Sequence, residues 1–206
     1  FAVPLVPDPG PSRAACASVV AAARPGQCLI LTSTSHVGAT RDLLIDPLEA
    51  RGFRVGVDIH VSFSPERIDP GNDYHSGDRV TRVLGGATAA CSRRSAEVLG
   101  QITPTVHAVS SPEAAELTKL LENIFRSVNI AMVNEMKVVL SAMGIDIWEV
   151  IAAASTKPFG FMPFYPGPGL GGHCIPIDPY YLTWKAREFG HTTRFIELAG
   201  EINTAM

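Results

Sequence analysis

Cysteine and net charge are both scarce in this chain of 206 residues. The four cysteines Cys16, Cys28, Cys91 and Cys174 lie far apart and form no Cys-x-x-Cys pair, which argues against a disulfide framework or a zinc site. A net charge of -3 gives no electrostatic basis for binding nucleic acid or an anionic membrane surface. No apolar run approaches the ~18 residues that a membrane-spanning helix needs. We therefore expect no metal, no nucleic-acid partner and no membrane partner.

The chain also lacks a starting methionine, a recognisable pyrophosphate-binding segment and a signal peptide. It begins at Phe1 without a methionine, enters an apolar run at once, and ends at Met206 inside a helix-like pattern, so we expect a fragment. We find no strand followed by Gly-x-Gly-x-x-Gly, the segment that seats a dinucleotide pyrophosphate at a helix N-terminus. We also find no signal peptide, and unpaired cysteines suit a reducing compartment, so we expect a cytoplasmic location.

Residues 1–110 alternate between short apolar runs and helix-like runs. Residues 1–4 are predicted to be the end of a strand, and further strands are predicted at 28–32, 59–63, 80–84 and 106–109. Helices are predicted at 12–23, from the turn at 33–40 to about residue 52, and at 87–99. This alternation predicts βαβ units around a mainly parallel sheet, with Gly85-Gly86 as a break after a strand. Ligands of such sheets bind at the carboxyl ends of the strands, where Thr34 and Glu66 fall.

The pattern turns helical in residues 111–206. Ser111 is a good N-cap, Gly144 is a good C-terminal glycine, and apolar residues recur between them at steps of three or four, from Leu117 to Val139. A helix of this length spans about 45 Å, which suggests a spine between domains or the core of a dimer. Shorter helices are predicted from Asp146, from Asp178-Pro179 to before Gly190, and from Thr192 or Thr193.

Cys174 lies in the most informative segment, residues 166–179, which reads PGPGLGGHCIPIDP. Glycines let a backbone approach a ligand closely, and a thiol placed there can attack a carbonyl carbon if it ionises. The alternative is a glycine- and proline-rich loop around a small buried cysteine. Spacing alone leaves both interpretations open.

Other candidate residues have equally plain alternatives. Lys119 and Asn123 are four apart on the long helix and share one face, but could be a solvated lysine and a tolerated asparagine. Asp178 could serve as an N-cap for a helix that starts at Pro179, and Glu66 could lie in a surface turn. The aromatic residues of the loop are expected to pack it rather than to stack on a ligand: Phe159, Phe161, Phe164 and Tyr165.

Taken together, and in this order, the segments resemble the UDP-glucose/GDP-mannose dehydrogenase family. The segments that carry the resemblance are Ser33-Thr34, 64–67 (SPER), 70–72 (PGN), 116–119 (ELTK) with Asn123, Asn134-Glu135, 144–151 (GIDIWEVI) and the Cys174 loop. The resemblance implies the second half of a Rossmann-like parallel sheet domain, residues 1–110, joined by a long helix to a central helical dimerisation domain, residues 111–206. The sequences of residues 157–169 and 180–185 look closest to the branch of the family that acts on UDP-N-acetylglucosamine.

The resemblance also implies an NAD-dependent enzyme that oxidises the C6 alcohol of a UDP-sugar in two hydride transfers, through a thiohemiacetal and a thioester on Cys174. Lys119 and Asn123 would stabilise the oxyanion, Asp178 would position water, and Thr34 and Glu66 would hold water and sugar. The implied cofactor-binding residues are Val3, Pro4, Ser33, Thr34, Glu66 and Cys174. The implied substrate-binding residues are Glu66, Arg67, Lys119, Asn123, Tyr165, Gly169 and Gly171.

Some positions depart from the family pattern. Pro70 stands where many relatives have a second glutamate, Leu5 where they often have threonine, and Ile177 where they often have lysine. Alternatives to UDP-N-acetylglucosamine are UDP-glucose and UDP-N-acetylmannosamine, and a non-catalytic dimerisation module is a further alternative. The 3-hydroxyacid and 6-phosphogluconate dehydrogenases need no thiol, so the Cys174 loop argues against them. We expect a homodimer through the central helix and no turnover by this chain alone.

Overall fold

A computed structural model describes residues 10–67, 80–172 and 174–206. The expected strand in residues 1–4 and part of the expected loop at 64–72 lie outside these ranges. The chain forms two compact units, of which one extends to Leu120 and the other begins at Leu121. The expected domain boundary after residue 110 stays a prediction.

The first unit alternates strands and helices as the sequence predicts. Helix α1 (Gly10–Ala22) is followed by strand β1 (Cys28–Leu31), and a π-helical turn at Arg41–Ile45 then leads directly into α2 (Asp46–Ala50). The remaining elements, in chain order, are β2 (His60–Phe63), β3 (Arg82–Gly86), α3 (Ala89–Leu99) and β4 (Val106–Val109). Thr88 caps α3, because its side chain accepts a hydrogen bond from the Cys91 amide.

The four strands form one sheet in the order β1-β2-β3-β4. β1 and β2 are parallel, as are β3 and β4, whereas β2 and β3 are antiparallel, so the expectation of a mainly parallel sheet is confirmed. Leu48, Ile59 and Val61 are fully buried in the apolar core of this unit. Leu31 pairs with Phe63 in the parallel register, so the chain leaves β1 and β2 at the same edge of the sheet.

The prediction that Gly85-Gly86 breaks the chain after a strand is wrong. Both glycines belong to β3, whose strand therefore runs two residues further and begins later than expected. A Cβ at Gly85 would overlap the carbonyl of Ser111, and one at Gly86 would overlap the amide of Ser92. The two glycines therefore serve close packing against neighbouring backbone rather than a turn.

Helix α4 (Pro112–Ala142) contains 31 residues and continues from the first unit into the second. Ser111 caps its start, because Oγ accepts a hydrogen bond of 3.2 Å from the Ala114 amide. At its end Gly144 has a φ of 72°, and the amides of Gly144 and Ile145 donate to the carbonyls of Ser141 and Leu140. These bonds form a Schellman motif, so both predicted ends of the helix are confirmed.

The apolar pattern of α4 is only partly buried. Ile124 is 8% exposed, but Met132, Met136 and Val139 are 49%, 40% and 52% exposed. Much of the buried face of the helix is instead polar, with Glu116, Asn123, Ser127 and Asn134 all 4% exposed or less. Burial of this apolar face within the chain is therefore incomplete, and an apolar strip remains at Met132, Met136 and Val139.

Three helices complete the second unit: α5 (Ile147–Ala154), α6 (Cys174–Glu188) and α7 (Arg194–Ala205). Asp146 caps α5 as predicted, and Thr193 is the residue before α7. The prediction that Asp178-Pro179 opens a helix is wrong, because α6 begins at Cys174 and holds Pro179 in its interior. Pro179 is the sixth residue of α6, so the helix lacks the one hydrogen bond that an N–H at this position would donate to the Ile175 carbonyl. None of the helices in the described ranges is long and apolar enough to span a lipid bilayer.

Candidate active site

Cys174 is the first residue of α6 and is exposed. The other three cysteines are less accessible, since Cys16 and Cys91 are buried and Cys28 is partly buried. The thiol of Cys174 is therefore the one that a solute can reach most readily, and the alternative interpretation of a small buried cysteine does not fit it.

The loop before Cys174 takes backbone conformations that favour glycine. Gly169 and Gly172 have φ values of 98° and 80°, which other residues rarely adopt. Gly171 has open space where a Cβ would stand, so its lack of a side chain leaves room next to the loop. The loop that sequence reasoning assigned to the substrate thus leads directly into the helix that starts with the exposed thiol.

Asp178 lies four residues after Cys174, one turn further along α6. Its Oδ2 accepts a hydrogen bond of 2.6 Å from Nδ2 of Asn123 on α4, and the two residues are 4% and 2% exposed. This short bond fixes a buried carboxylate next to the turn that presents the thiol. The alternative of Asp178 as an N-cap is excluded by its place inside the helix.

Lys119 is half-buried on α4, four residues before Asn123. This is the spacing at which two side chains emerge on one face of a helix. Its ammonium group would add positive charge wherever negative charge develops near that face.

Glu66 and Arg67 follow the carboxyl end of β2. Glu66 is exposed, and its carboxylate accepts hydrogen bonds of 2.8 Å from the Arg67 amide and 2.7 Å from Nη2 of Arg82. Nη1 of Arg67 donates 2.8 Å to the carbonyl of Thr81. The Arg82 side chain therefore holds the Glu66 carboxylate at the edge of the sheet, and a role of Glu66 in ligand binding stays a prediction.

Ser33 and Thr34 follow the carboxyl end of β1, where Ser33 is exposed and Thr34 half-buried. Since β1 and β2 are parallel, these hydroxyls and Glu66 come from the same edge of the sheet. Hydroxyl and carboxylate groups at this edge suit the polar groups of a dinucleotide, so the residues present fit NAD. The expected cofactor residues Val3 and Pro4 lie outside the described residues.

Glu116 is a residue of this region to which sequence reasoning assigned no role. It is fully buried, and its carboxylate accepts 2.6 Å from the Gly38 amide, 2.8 Å from the Thr40 amide and 2.7 Å from Oγ1 of Thr40. Burial raises the pKa of this carboxyl, although the hydrogen bonds from Thr40 and Gly38 oppose the rise. Glu116 thus ties the start of α4 to the turn that follows Ser33-Thr34. An acidic residue on the buried face of an amphipathic helix is the sequence feature that could have indicated this contact.

The aromatic residues of the loop before Cys174 pack in part, as expected. Tyr165 stacks on Trp148 with ring centroids 5.8 Å apart, and Phe164 meets Phe125 edge to face at 5.6 Å. Phe159, by contrast, is 71% exposed. Tyr165 itself keeps 58% of its surface exposed, so its outer face can still contact a ligand.

A cavity of about 310 Å³ lies beside the Cys174 loop in the second unit. Its lining includes Gly169, Ile175, Tyr180 and Asn203, and is formed mainly by the loop, α6 and α7. Among the described residues, no three His, Cys, Asp or Glu side chains lie close enough together to hold a metal ion.

The second unit brings together a thiol, an amide and a carboxylate. An exposed thiol, a buried carboxylate one helical turn away and an amide that fixes this carboxylate suit nucleophilic attack followed by hydrolysis.

Comparison with known proteins agrees with this arrangement. Residues 8–103 match the NAD binding domain of the UDP-glucose/GDP-mannose dehydrogenase family, and residues 113–205 match the central domain of the same family. Protein CapL of Staphylococcus aureus is 39% identical over 202 residues, which are 97% of this chain and 47% of CapL. The UDP-N-acetyl-D-glucosamine 6-dehydrogenase of Pseudomonas aeruginosa is 38% identical over the same shares of the two chains.

Solved structures show the same similarity. The UDP-D-ManNAc dehydrogenase of Pyrococcus horikoshii superposes with a TM-score of 0.89 and 30% identity, covering 98% of this chain and 47% of that one. The chain therefore spans about half the length of the relatives that it matches. Two consecutive domain matches and the thiol, amide and carboxylate described above lead to one conclusion: the chain belongs to the UDP-glucose/GDP-mannose dehydrogenase family, with an NAD binding domain followed by a central domain.

Proposed function

We propose that the chain is part of an NAD-dependent nucleotide-sugar 6-dehydrogenase that oxidises the C6 alcohol of a UDP-hexose to a carboxylate. The observation that carries the proposal is the exposed thiol of Cys174, one turn of α6 from a buried Asp178 that Asn123 holds at 2.6 Å. A single alcohol-to-carbonyl oxidation needs no thiol, whereas an oxidation that continues to the acid gains from covalent capture of the aldehyde.

The residues of this chain divide the chemistry among them. Bound NAD⁺ would supply the hydride acceptor for both oxidation steps, so two equivalents would be needed for each sugar. The Cys174 thiolate adds to the C6 aldehyde to give a thiohemiacetal, which on loss of the second hydride becomes a thioester. Water then attacks the thioester carbon, the C–S bond breaks, and the uronic acid and the free thiol are released.

The neighbouring groups stabilise charge and position water. Asn123 and Lys119 would donate to the oxyanion that forms at C6, since an amide gives a directed donor and an ammonium gives charge. Asp178 would orient the water that attacks the thioester. Thr34 and Glu66 would hold water and the reacting sugar, and Ser33 would contact the cofactor. The remaining proposed contacts to substrate are Arg67, Tyr165, Gly169 and Gly171.

UDP-N-acetylglucosamine is the substrate that we favour. This choice is supported by the sequences of residues 157–169 and 180–185 and by the similarity to the UDP-N-acetyl-D-glucosamine 6-dehydrogenase of Pseudomonas aeruginosa. UDP-N-acetylmannosamine is the second candidate, supported by the similarity to the enzyme of Pyrococcus horikoshii, and UDP-glucose is the third. The three UDP-sugars differ at C2 of the sugar. Turnover of the gene product with the three in competition would rank them by kcat/KM.

We further propose a cytoplasmic homodimer whose contact includes the apolar strip at Met132, Met136 and Val139 of α4, which are 40% exposed or more. This 206-residue chain alone is expected to turn over no UDP-sugar, because none of the strands in the ranges that the structure describes is followed by the Gly-x-Gly-x-x-Gly segment that seats a cofactor pyrophosphate. Measurable NAD⁺ reduction by this chain with UDP-N-acetylglucosamine would contradict that expectation.

The decisive experiment uses the gene product that contains this sequence. We expect two NADH for each UDP-N-acetylglucosamine consumed, together with a mass increase on the Cys174 peptide when the reaction is quenched during turnover. Cys174→Ala should form no acid, whereas the matched control Cys28→Ala should form it normally. One NADH per sugar, or acid formation by Cys174→Ala, would exclude the thioester route.

A further inference from the structure

Two buried asparagines connect the Cys174 loop to the helices of the second unit. Oδ1 of Asn134 accepts a hydrogen bond of 2.9 Å from the Gly167 amide, and its Nδ2 donates 3.1 Å to Oδ1 of Asn203. Nδ2 of Asn203 then donates 3.0 Å to the carbonyl of Ser127 on α4. Asn134 is fully buried and Asn203 is 4% exposed. The four groups form one chain of hydrogen bonds, from the loop backbone to the backbone of α4.

The direction of this chain requires a side chain at both positions that accepts one hydrogen bond and donates another, which an amide does at every pH. Each asparagine accepts through oxygen and donates through nitrogen, so the order of donor and acceptor is the same at every step. A carboxylate at either position would offer only acceptors, and an aliphatic side chain would offer neither. Buried polar groups of this kind are costly unless each is satisfied, which makes the pair sensitive to substitution.

The same loop approaches Asn203 at a second point. A Cβ at Gly169 would stand 2.9 Å from the Asn203 carbonyl oxygen, and the φ of Gly169 is 98°. The loop is thus fixed at Gly167 through Asn134 and packed at Gly169 against the backbone of α7. Five residues after Gly169 the chain reaches Cys174 and α6 begins.

We propose that Asn134 and Asn203 are positioning residues, whose paired amides hold the glycine-rich loop 166–172 and thereby place the thiol of Cys174. The inference rests on the proposed function in one respect, namely that Cys174 is the nucleophile. Neither asparagine contacts the reacting atoms in this proposal, because both act through the loop backbone. Reactions through a covalent intermediate lose rate steeply when the nucleophile is displaced.

The first test follows amide hydrogen exchange in this 206-residue chain and needs no enzyme activity. Asn134→Leu removes the acceptor of the Gly167 amide, so we expect its protection factor to fall about tenfold, as the loss of one buried hydrogen bond implies. The matched control is Thr183→Val, which removes a partly buried hydrogen bond of 2.6 Å between Oγ1 of Thr183 and Oγ1 of Thr193 in the same unit. The control should leave the protection of Gly167 unchanged.

A second variant distinguishes a positioning role from a general loss of stability. In Asn134→Asp, a protonated carboxyl can accept from the Gly167 amide and donate to Asn203, so it reproduces the asparagine. Once this carboxyl ionises, two oxygens face each other and the link to Asn203 fails. We therefore expect Gly167 protection near that of the parent chain at acid pH and a loss as pH rises, whereas Asn134→Leu should show the loss at every pH.

The third test uses turnover by the gene product that contains this sequence. Asn134→Leu and Asn203→Leu should each lower kcat about tenfold, because the loop that they release carries the thiol. The same loop holds the proposed sugar contacts Gly169 and Gly171, so any rise in KM for the UDP-sugar should accompany the loss of kcat and not replace it. Unchanged Gly167 protection in Asn134→Leu, or a changed KM with unchanged kcat, would overturn the inference. If the parent enzyme shows no turnover, the proposed function fails, and hydrogen exchange alone then decides whether the pair holds the loop.

Discussion

Asn123 and Asp178 are 55 residues apart in the sequence and share a hydrogen bond of 2.6 Å in which the amide donates to the carboxylate. Both side chains are buried. The bond joins α4 to α6 one turn after Cys174, so it has a structural consequence and a chemical one. The two can be separated, because the donor and the acceptor can be exchanged without changing the size of either side chain.

Asn123→Leu should lower the free energy of unfolding by about 1.5–3 kcal/mol at neutral pH, the range for a hydrogen bond to a charged group. The double variant Asn123→Asp/Asp178→Asn restores an amide opposite a carboxylate and should recover most of that loss. It should not recover NAD⁺ reduction, because the proposed roles need the donor on α4 and the carboxylate on α6. Urea denaturation and turnover of the gene product measure the two effects. Recovery of both stability and activity would show that the pair is structural only.

Glu116 makes stability depend on pH in a direction that its burial fixes. Since burial raises its pKa in the folded chain, the folded state holds the proton more tightly than the unfolded state does. The stabilising contribution of this group is therefore fully present below its ordinary value of 4.5 and is lost as pH rises through the raised pKa. Glutamine does not titrate, so it removes this dependence.

Glu116→Gln should be less stable than the parent chain by about 1–3 kcal/mol at acid pH, because the glutamine NH₂ group faces the Gly38 amide and leaves it without an acceptor. The difference between the two chains should narrow as pH rises above about 4.5 and then stay constant. Denaturation curves at several pH values test this. A difference that widens with pH would mean that hydrogen bonds outweigh burial at this carboxyl.

The sequence predicts local elements well and contacts between distant residues poorly. The ends of α4 follow from Ser111 and Gly144, whose capping chemistry is local. The helix start predicted at Asp178-Pro179 is wrong because an Asp-Pro pair is typical of a helix N-terminus, whereas the partner of Asp178 is Asn123, 55 residues away, which no local pattern indicates. The break predicted at Gly85-Gly86 is wrong for a similar reason. The backbone of Ser111 and of Ser92 approaches these glycines closely, and the sequence of the strand does not indicate that approach.

The apolar strip of α4 gives a prediction about assembly. Met136 is 40% exposed, so Met136→Glu should leave the fold of the single chain intact, with stability changed by about 0.5 kcal/mol or less. In the proposed dimer the new charge would be buried against the partner, so light scattering should show the monomer mass. The control Glu135→Gln changes a neighbouring exposed residue and should remain dimeric. An unchanged dimer for Met136→Glu would place the interface elsewhere.

Two glycine substitutions separate packing from function. Gly85→Ala should destabilise the chain by several kcal/mol or prevent folding, because the new methyl group would overlap the Ser111 carbonyl and the backbone at Pro112.

Gly171→Ala should leave the denaturation midpoint unchanged or slightly raised, since a Cβ there meets no atom within 4 Å and its φ is not positive. In the gene product, however, Gly171→Ala should raise KM for the UDP-sugar, because the proposed substrate would lie against this glycine. A stable Gly85→Ala chain would contradict the packing argument, and an unchanged KM for Gly171→Ala would remove this loop position from the proposed sugar contacts.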